Sequence, residues 1–184
     1  MKISSLMDRQ RGLTLLEAMV TVAILAIVVG IGVPSYQALM ERNRVTTVAN
    51  DLLYHLQLAR SEAVKRNRPA FLCPLNNDDD DDCSGTNTNW VDDWHVTSTD
   101  EDDDPIVIRV TQLPDGVTVT PSTNVTQVQF SAVGTVVGTR PDYFEVKVSN
   151  NHERHVCLRL SGAAEVIDPN HIDPNDPVSP PPSC

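Results

Sequence analysis

Four cysteines, five histidines, two acidic runs and one glutamate inside an apolar stretch are the residues of this 184-residue chain whose types could do chemistry. Cys73, Cys83, Cys157 and Cys184 allow three disulfide pairings. We favour Cys73–Cys83, which closes a short acidic loop, and Cys157–Cys184, which pins a proline-rich tail. Such bridges belong to an oxidising compartment. Free buried thiols are the competing reading, and a C-terminal Cys184 is hard to bury. His55, His95, His152, His155 and His171 show no metal-ligand spacing. The runs Asp78–Asp82 and Asp100–Asp104 lack the alternation and glycine of a calcium loop, so both read as solvated loops. No glycine-rich phosphate loop and no nucleophile elbow occurs. The expectation is no metal, no cofactor and no catalysis.

Glu17 is the most unusual of these residues. Leu13–Val33 is a stretch of about 21 residues, long enough to cross a bilayer as a helix, and Glu17 lies five residues into it. A carboxylate there costs a few kcal/mol and implies a partner. Lys2, Arg9 and Arg11 precede the stretch, which predicts a cytoplasmic N-terminus. A secretory signal fits poorly, because Pro34 and Tyr36 stand where a small-residue cleavage site would follow. A cut between Gly12 and Leu13 would instead create an α-amino group one helical turn before Glu17. The two charges could then pair, within a chain or between neighbours.

The run Gly12-Leu13-Thr14-Leu15-Leu16-Glu17 resembles the class III signal of type IV pilins and type II secretion pseudopilins. Leu13 stands where phenylalanine is usual. The resemblance implies that a prepilin peptidase cuts after Gly12 and methylates the Leu13 amine. It implies that Glu17 contacts the Leu13 amine of an adjacent subunit during assembly. It also places Pro34 where the family's long helix bends or partly melts, assisted by Gly30 and Gly32. Further along, the segment Leu58–Asn67 (LARSEAVKRN), the following Phe71-Leu72-Cys73-Pro74 and the Trp-containing strand Asp93–Val96 resemble the GspH/FimT/FimU branch of minor pilins and pseudopilins.

The rest of the chain must position these parts. Val45, Val48, Ala49, Leu52, Leu53, Leu56, Ala59 and Ala63 recur at helical spacing, with Asn50, Asp51, Gln57, Arg60 and Glu62 on other faces. Pro69 supplies the stop. Arg60, Lys65, Arg66 and Arg68 then read as a solvated helix end whose cations suit the dipole. Strands are expected at Ala70–Cys73, Trp94–Ser98, Ile106–Gln112, Val117–Thr120, Val128–Ser131, Phe144–Ser149, His155–Leu160 and Ala164–Ile167. Residues 168–184 hold six prolines and should be irregular. The fold class is therefore α+β: a long N-terminal hydrophobic helix packed on an antiparallel β-sheet head. The domains are a leader over 1–12, the transmembrane part of the helix over 13–34, and a periplasmic head over 35–184 whose helix runs to about residue 67.

The net charge is −11, and from residue 70 onward 20 Asp and Glu face five Lys and Arg. Such a head repels phosphate backbones. Some FimT proteins carry a Gly-Arg-x-Arg motif after the last strands. Here Gly162 is followed by Ala163 and Glu165 in place of the two arginines, so nucleic acid is not an expected partner. The reading is a minor type IV pilin, a structural subunit incorporated into or priming the fibre, for adhesion, twitching or DNA uptake. The alternatives are a GspH-type pseudopilin of a type II secretion system and a FimT-like DNA-binding competence pilin. Implied partners are the prepilin peptidase, other major and minor pilins or pseudopilins, an inner-membrane assembly platform, and the membrane through one helix. The implied location is the inner membrane with a periplasmic head, then the pilus or pseudopilus.

Overall fold

A computed structural model describes residues 14–75, 83, 88–90, 93–148, 152–169 and 184. Gly12, Leu13, the run Asp78–Asp82, residues 149–151 and most of the proline-rich tail lie outside the described residues. Contacts divide the chain into two units, Met1–Met40 and Glu41–Cys184.

The first unit contributes the opening part of helix α1 (Leu15–Arg66). Thr14 starts it. Its hydroxyl accepts the Glu17 backbone N–H at 3.2 Å, and its carbonyl accepts from Ala18 N at 3.1 Å. One otherwise orphaned N–H is thereby capped. Beyond this cap Leu15, Leu16, Met19, Val22, Leu25, Ile27, Val28, Ile31, Tyr36 and Leu39 are all exposed. An 18-residue window of the helix reaches a mean hydropathy of 2.5 with none of it buried. An apolar surface on every side of a helix suits hydrocarbon and not water. The helix continues through Pro34, and Gly30 and Gly32 have open space around them.

In the second unit the helix becomes one-sided. Val45, Val48, Ala49, Leu52, His55, Leu56, Ala59, Glu62 and Ala63 are buried, while Leu53 is only partly so. Glu62 lies on this buried face, contrary to the exposed face expected for it, because two cations hold its carboxylate there. The helix ends in a left-handed Asn67 (φ 53°), with Asn67 N donating to Val64 O and Arg68 N to Ala63 O. These bonds satisfy carbonyls that would otherwise be orphaned. The stop is therefore Asn67, with Pro69 confirming it two residues on.

Nine strands follow among the described residues: β1 (Ala70–Pro74), β2 (Trp94–Thr99), β3 (Pro105–Thr111), β4 (Val117–Pro121), β5 (Val128–Phe130), β6 (Val136–Val137), β7 (Tyr143–Val148), β8 (His152–Leu158) and β9 (Ala164–Ile167). They form two sheets, ordered β3-β2-β1-β5-β6 and β4-β7-β8-β9, and every pairing is antiparallel. Strand alternation is the same whether strands join one sheet or two, so the division was not visible in the pattern. Strand β6 was missed because two residues carry no period. In β4 and β7 the alternation is clean: Val117, Val119, Phe144, Val146 and Val148 point inward. In β2, Trp94 to Ser98 are all buried, so this strand is covered on both faces.

One core joins the helix stripe to both sheets, through Leu72, Trp94, Val96, Val128 and Phe130 on one side and Val119, Phe144, Val146 and Val156 on the other. Trp90, in a turn, completes it. Its ring meets Phe144 edge-on at 4.9 Å, and Nε1 donates to Val125 O at 2.9 Å. Leu52 is fully buried in this cluster. Leu52→Ala is expected to cost about 2–5 kcal/mol, read as a lower denaturant midpoint with an unchanged slope.

Candidate functional site

The site residues at the anchor end are only partly in view. Of Gly12, Leu13 and Glu17, the structure describes Glu17, in the first turn of α1 and exposed. Thr14 and Glu17 have the spacing of a capping box, a signal the sequence carried openly (Thr-x-x-Glu) and that the resemblance overshadowed.

In the head, the four basic residues at the helix end each have a partner, while Lys65 and Arg66 stay exposed to solvent as expected. Lys65 Nζ and Arg66 Nε reach the Glu62 carboxylate at 3.3 and 2.7 Å. Arg68 pairs with Asp103 and donates to Glu101 O at 3.2 Å. Arg60 Nε donates to Gly134 O at 3.0 Å. The basic cluster is therefore a surface feature whose charges are paired locally.

Arg60 marks the junction of the two sheets. Ser131–Thr135 links β5 to β6, and Arg159–Ala163 links β8 to β9. The two turns share one geometry: Gly134 N donates to Ser131 O, and Gly162 N to Arg159 O, each at 2.8 Å. Both glycines are left-handed, at φ 79° and 78°, the conformation a three-residue hairpin loop requires at this position. The turns press together. A Cβ on Gly162 would lie 2.1 Å from Gly134 O, and one on Gly134 would lie 3.0 Å from a Val64 methyl. Val136 N also donates to Leu160 O at 3.0 Å, which ties β6 to the far turn. So Gly162, read first as the remnant of an anion-binding motif, is a packing residue. Glu165 beside it pairs with Arg159 at 2.5 Å.

The structure pairs Cys73 with Cys83 and Cys157 with Cys184, with Cα atoms 5.8 and 5.4 Å apart. The run Asp100–Asp104 is, as expected, an exposed loop between β2 and β3, and it is ordered as a turn. Asp100 Oδ1 accepts from Asp102 N and Asp104 N at 2.9 and 3.0 Å. His55 is buried on the helix stripe. Its Nδ1 meets Asp51 O and its Nε2 meets Thr111 Oγ1, each at 2.6 Å. A carbonyl only accepts, so Nδ1 carries a proton. Burial lowers the ring's pKa from 6.5 against the opposing pull of Asp51, which favours the neutral form, in which Nε2 accepts from the threonine hydroxyl. His155 stacks on Tyr143, and His152 faces Arg42 Nε at 3.4 Å. Sequence reasoning missed the roles of Arg60, Gly134 and His55, since each depends on a partner at least 56 residues away.

Comparison with known proteins agrees with this architecture. Residues 7–33 match the prokaryotic N-terminal methylation motif. An apolar helix headed by that motif and followed by an antiparallel head defines a pilin-like protein. Residues 48–164 match the family described as type II transport protein GspH, and the chain belongs to that family. Among solved structures, the type IV minor pilin FimU of Pseudomonas aeruginosa is similar at 20% identity, covering 71% of this chain and 92% of that one, with a TM-score of 0.54. The minor pseudopilin EpsH of the Vibrio cholerae type II secretion system is similar at 11% identity, covering 72% and 99%, with a TM-score of 0.50. At these identities the likeness is one of fold. No curated protein matches the sequence significantly.

Gly162→Ala should destabilise the head by about 2 kcal/mol or more, since it adds a clash to an unfavourable backbone angle. Gly116→Ala, at φ 79° in open space, should cost only the backbone part, about 1 kcal/mol. Equal losses in chemical denaturation would show that the junction is not tightly packed. A pH test addresses Glu62. The Arg66 hydrogen bond, more than Lys65, holds its pKa below 4.5, against the pull of burial. Its contribution should be complete above pH 4.5 and drain away as pH falls through the lowered value. Stability of Glu62→Gln should accordingly fall less steeply below pH 4.5 than that of the parent chain.

Proposed function

We propose that this chain is a minor type IV pilin: a structural subunit that is cut after Gly12, methylated on Leu13, and drawn from the inner membrane into a fibre. The observation that carries this is the order of features in one chain. A methylation motif over residues 7–33 heads an apolar helix, and a GspH-family head follows. The motif region supplies the assembly chemistry, and the head supplies an outward surface.

The mechanism rests on two environments for one helix. In the membrane, the exposed apolar side chains of Leu15 to Val33 sit in hydrocarbon. In a fibre, the same side chains pack against other anchor helices, so extraction exchanges lipid contacts for protein contacts. Glu17 is the expensive residue in the first state. A neighbour's Leu13 amine would neutralise it in the second, so the carboxylate favours assembly and sets its register. The prepilin peptidase, other pilins and an inner-membrane platform are the partners this mechanism needs.

A pseudopilin role in type II secretion is the second reading, and the family's own description favours it. The two disulfides favour the pilus reading, because they brace a head that must survive at the cell surface. Deleting the gene separates the two: loss of surface fibres supports the first, and loss of secreted enzymes supports the second. DNA binding by the head is disfavoured. Arg159 is engaged by Glu165, and Ala163 offers no cation.

Mass spectrometry of the mature chain should find methylated Leu13 at its N-terminus. Gly12→Ala should accumulate uncut in the membrane. Glu17→Ala should be cut normally yet enter fibres poorly. Normal fibre incorporation of Gly12→Ala would sink the assignment.

A further inference from the structure

We propose that in its dithiol form the head binds one soft divalent cation, such as Zn²⁺, through Cys73 Sγ, Cys83 Sγ and His95 Nε2. The site is built by strand register. Cys73 on β1 lies directly opposite His95 on β2, so the two side chains share one face of the sheet. The disulfide brings Cys83 to the same point. All three are buried, at 2%, 6% and 1% exposure. His95 Nε2 is 3.3 Å from Cys73 Sγ and 3.8 Å from Cys83 Sγ.

Those separations suit a metal. A tetrahedral zinc site, with Zn–S of about 2.3 Å and Zn–N of about 2.0 Å, sets nitrogen and sulfur about 3.6 Å apart and its sulfurs about 3.8 Å apart. The imidazole already stands at the right distance from both sulfurs. Only the sulfur–sulfur separation must grow once their bond is broken. Thr97 Oγ1, two residues along β2 and 3.3 Å from Cys83 Sγ, adds a neutral oxygen beside the site.

Charge balance also fits the burial. Two thiolates and a neutral imidazole around a dication sum to zero, so the loaded site places no net charge in the core. The chemistry is a choice between two closures. A dithiol reductant gives two electrons and two protons to the Cys73–Cys83 bond and becomes a disulfide itself. The two thiols then lose their protons as thiolates bind the cation. Bond and cation therefore exclude one another, and either one closes the same segment between Cys73 and Cys83.

The test uses the full-length chain, reduced with a phosphine and treated with iodoacetamide with or without Zn²⁺. Alkylation of each cysteine is followed by peptide mass spectrometry. Zn²⁺ should slow alkylation of Cys73 and Cys83 about tenfold or more, and leave Cys157 and Cys184 unaffected. Co²⁺ should give thiolate-to-cobalt absorption at one ion per chain. That absorption should be lost in Cys73→Ser, kept in Cys184→Ser, and weakened in His95→Gln. The proposal is overturned by an absence of protection, by equal protection of all four cysteines, or by cobalt absorption that survives Cys73→Ser.

Discussion

The apolar stripe from Val45 to Ala63 has to leave water, and a single sheet would cover only part of it. The buried positions step around the helix from Val45 and Val48 through Leu52 and His55 to Glu62 and Ala63, an arc wider than a strict seam. Two sheets share it, one contributing Leu72, Trp94 and Phe130 and the other Phe144 and Val146. Trp90 and Phe144 meet edge-on within the same core. The remaining features of the head are consequences of holding two sheets on one helix. The junction needs turns tight enough to touch, hence the left-handed Gly134 and Gly162. It also needs a tie to the helix, hence Arg60 on the Gly134 carbonyl.

The charges follow the same economy. The head is strongly acidic by count, yet its arginines are held close to the fold: Arg66 on Glu62, Arg68 on Asp103, Arg140 on Leu158 O and Asp142, Arg154 on Asp168. Exposed pairs of this kind contribute little to stability one by one. Glu62 differs because its side chain is only 12% exposed, so losing either its charge or its cations leaves a desolvated group behind. What the pairs share is that they consume positive charge. A polyanion would find few uncommitted cations on the described head, and the acidic surface repels it at longer range.

The anchor and the head impose opposite rules on one continuous helix. Up to Met40 the helix shows apolar side chains on every side, and from Val45 it buries one face and keeps polar residues on the others. Composition alone reports this change, because the solvent that each part must satisfy is written into which positions are apolar. That is why the helix, its end near residue 67 and eight of the nine described strands were legible in the chain. Their boundaries shifted by a few residues at most, the largest shift being the start of β8 at His152 instead of His155.

By itself the sequence determined the apolar segment: the methylation motif over residues 7–33 and a charge-free run after Glu17 depend on local order along the chain, and a local pattern needs no fold to be read. It also determined the class of the head, through helical period followed by alternating strands. Tertiary structure decided what each polar residue does. Glu62 and His55 are core residues because cations and a threonine reach them there. Arg60 is a clamp because Gly134, 74 residues away, presents its carbonyl. Cys73 and His95 are neighbours because antiparallel register sets them opposite one another. Contacts of that range depend on which strands pair and on how two sheets share a helix, and neither leaves a period in the chain.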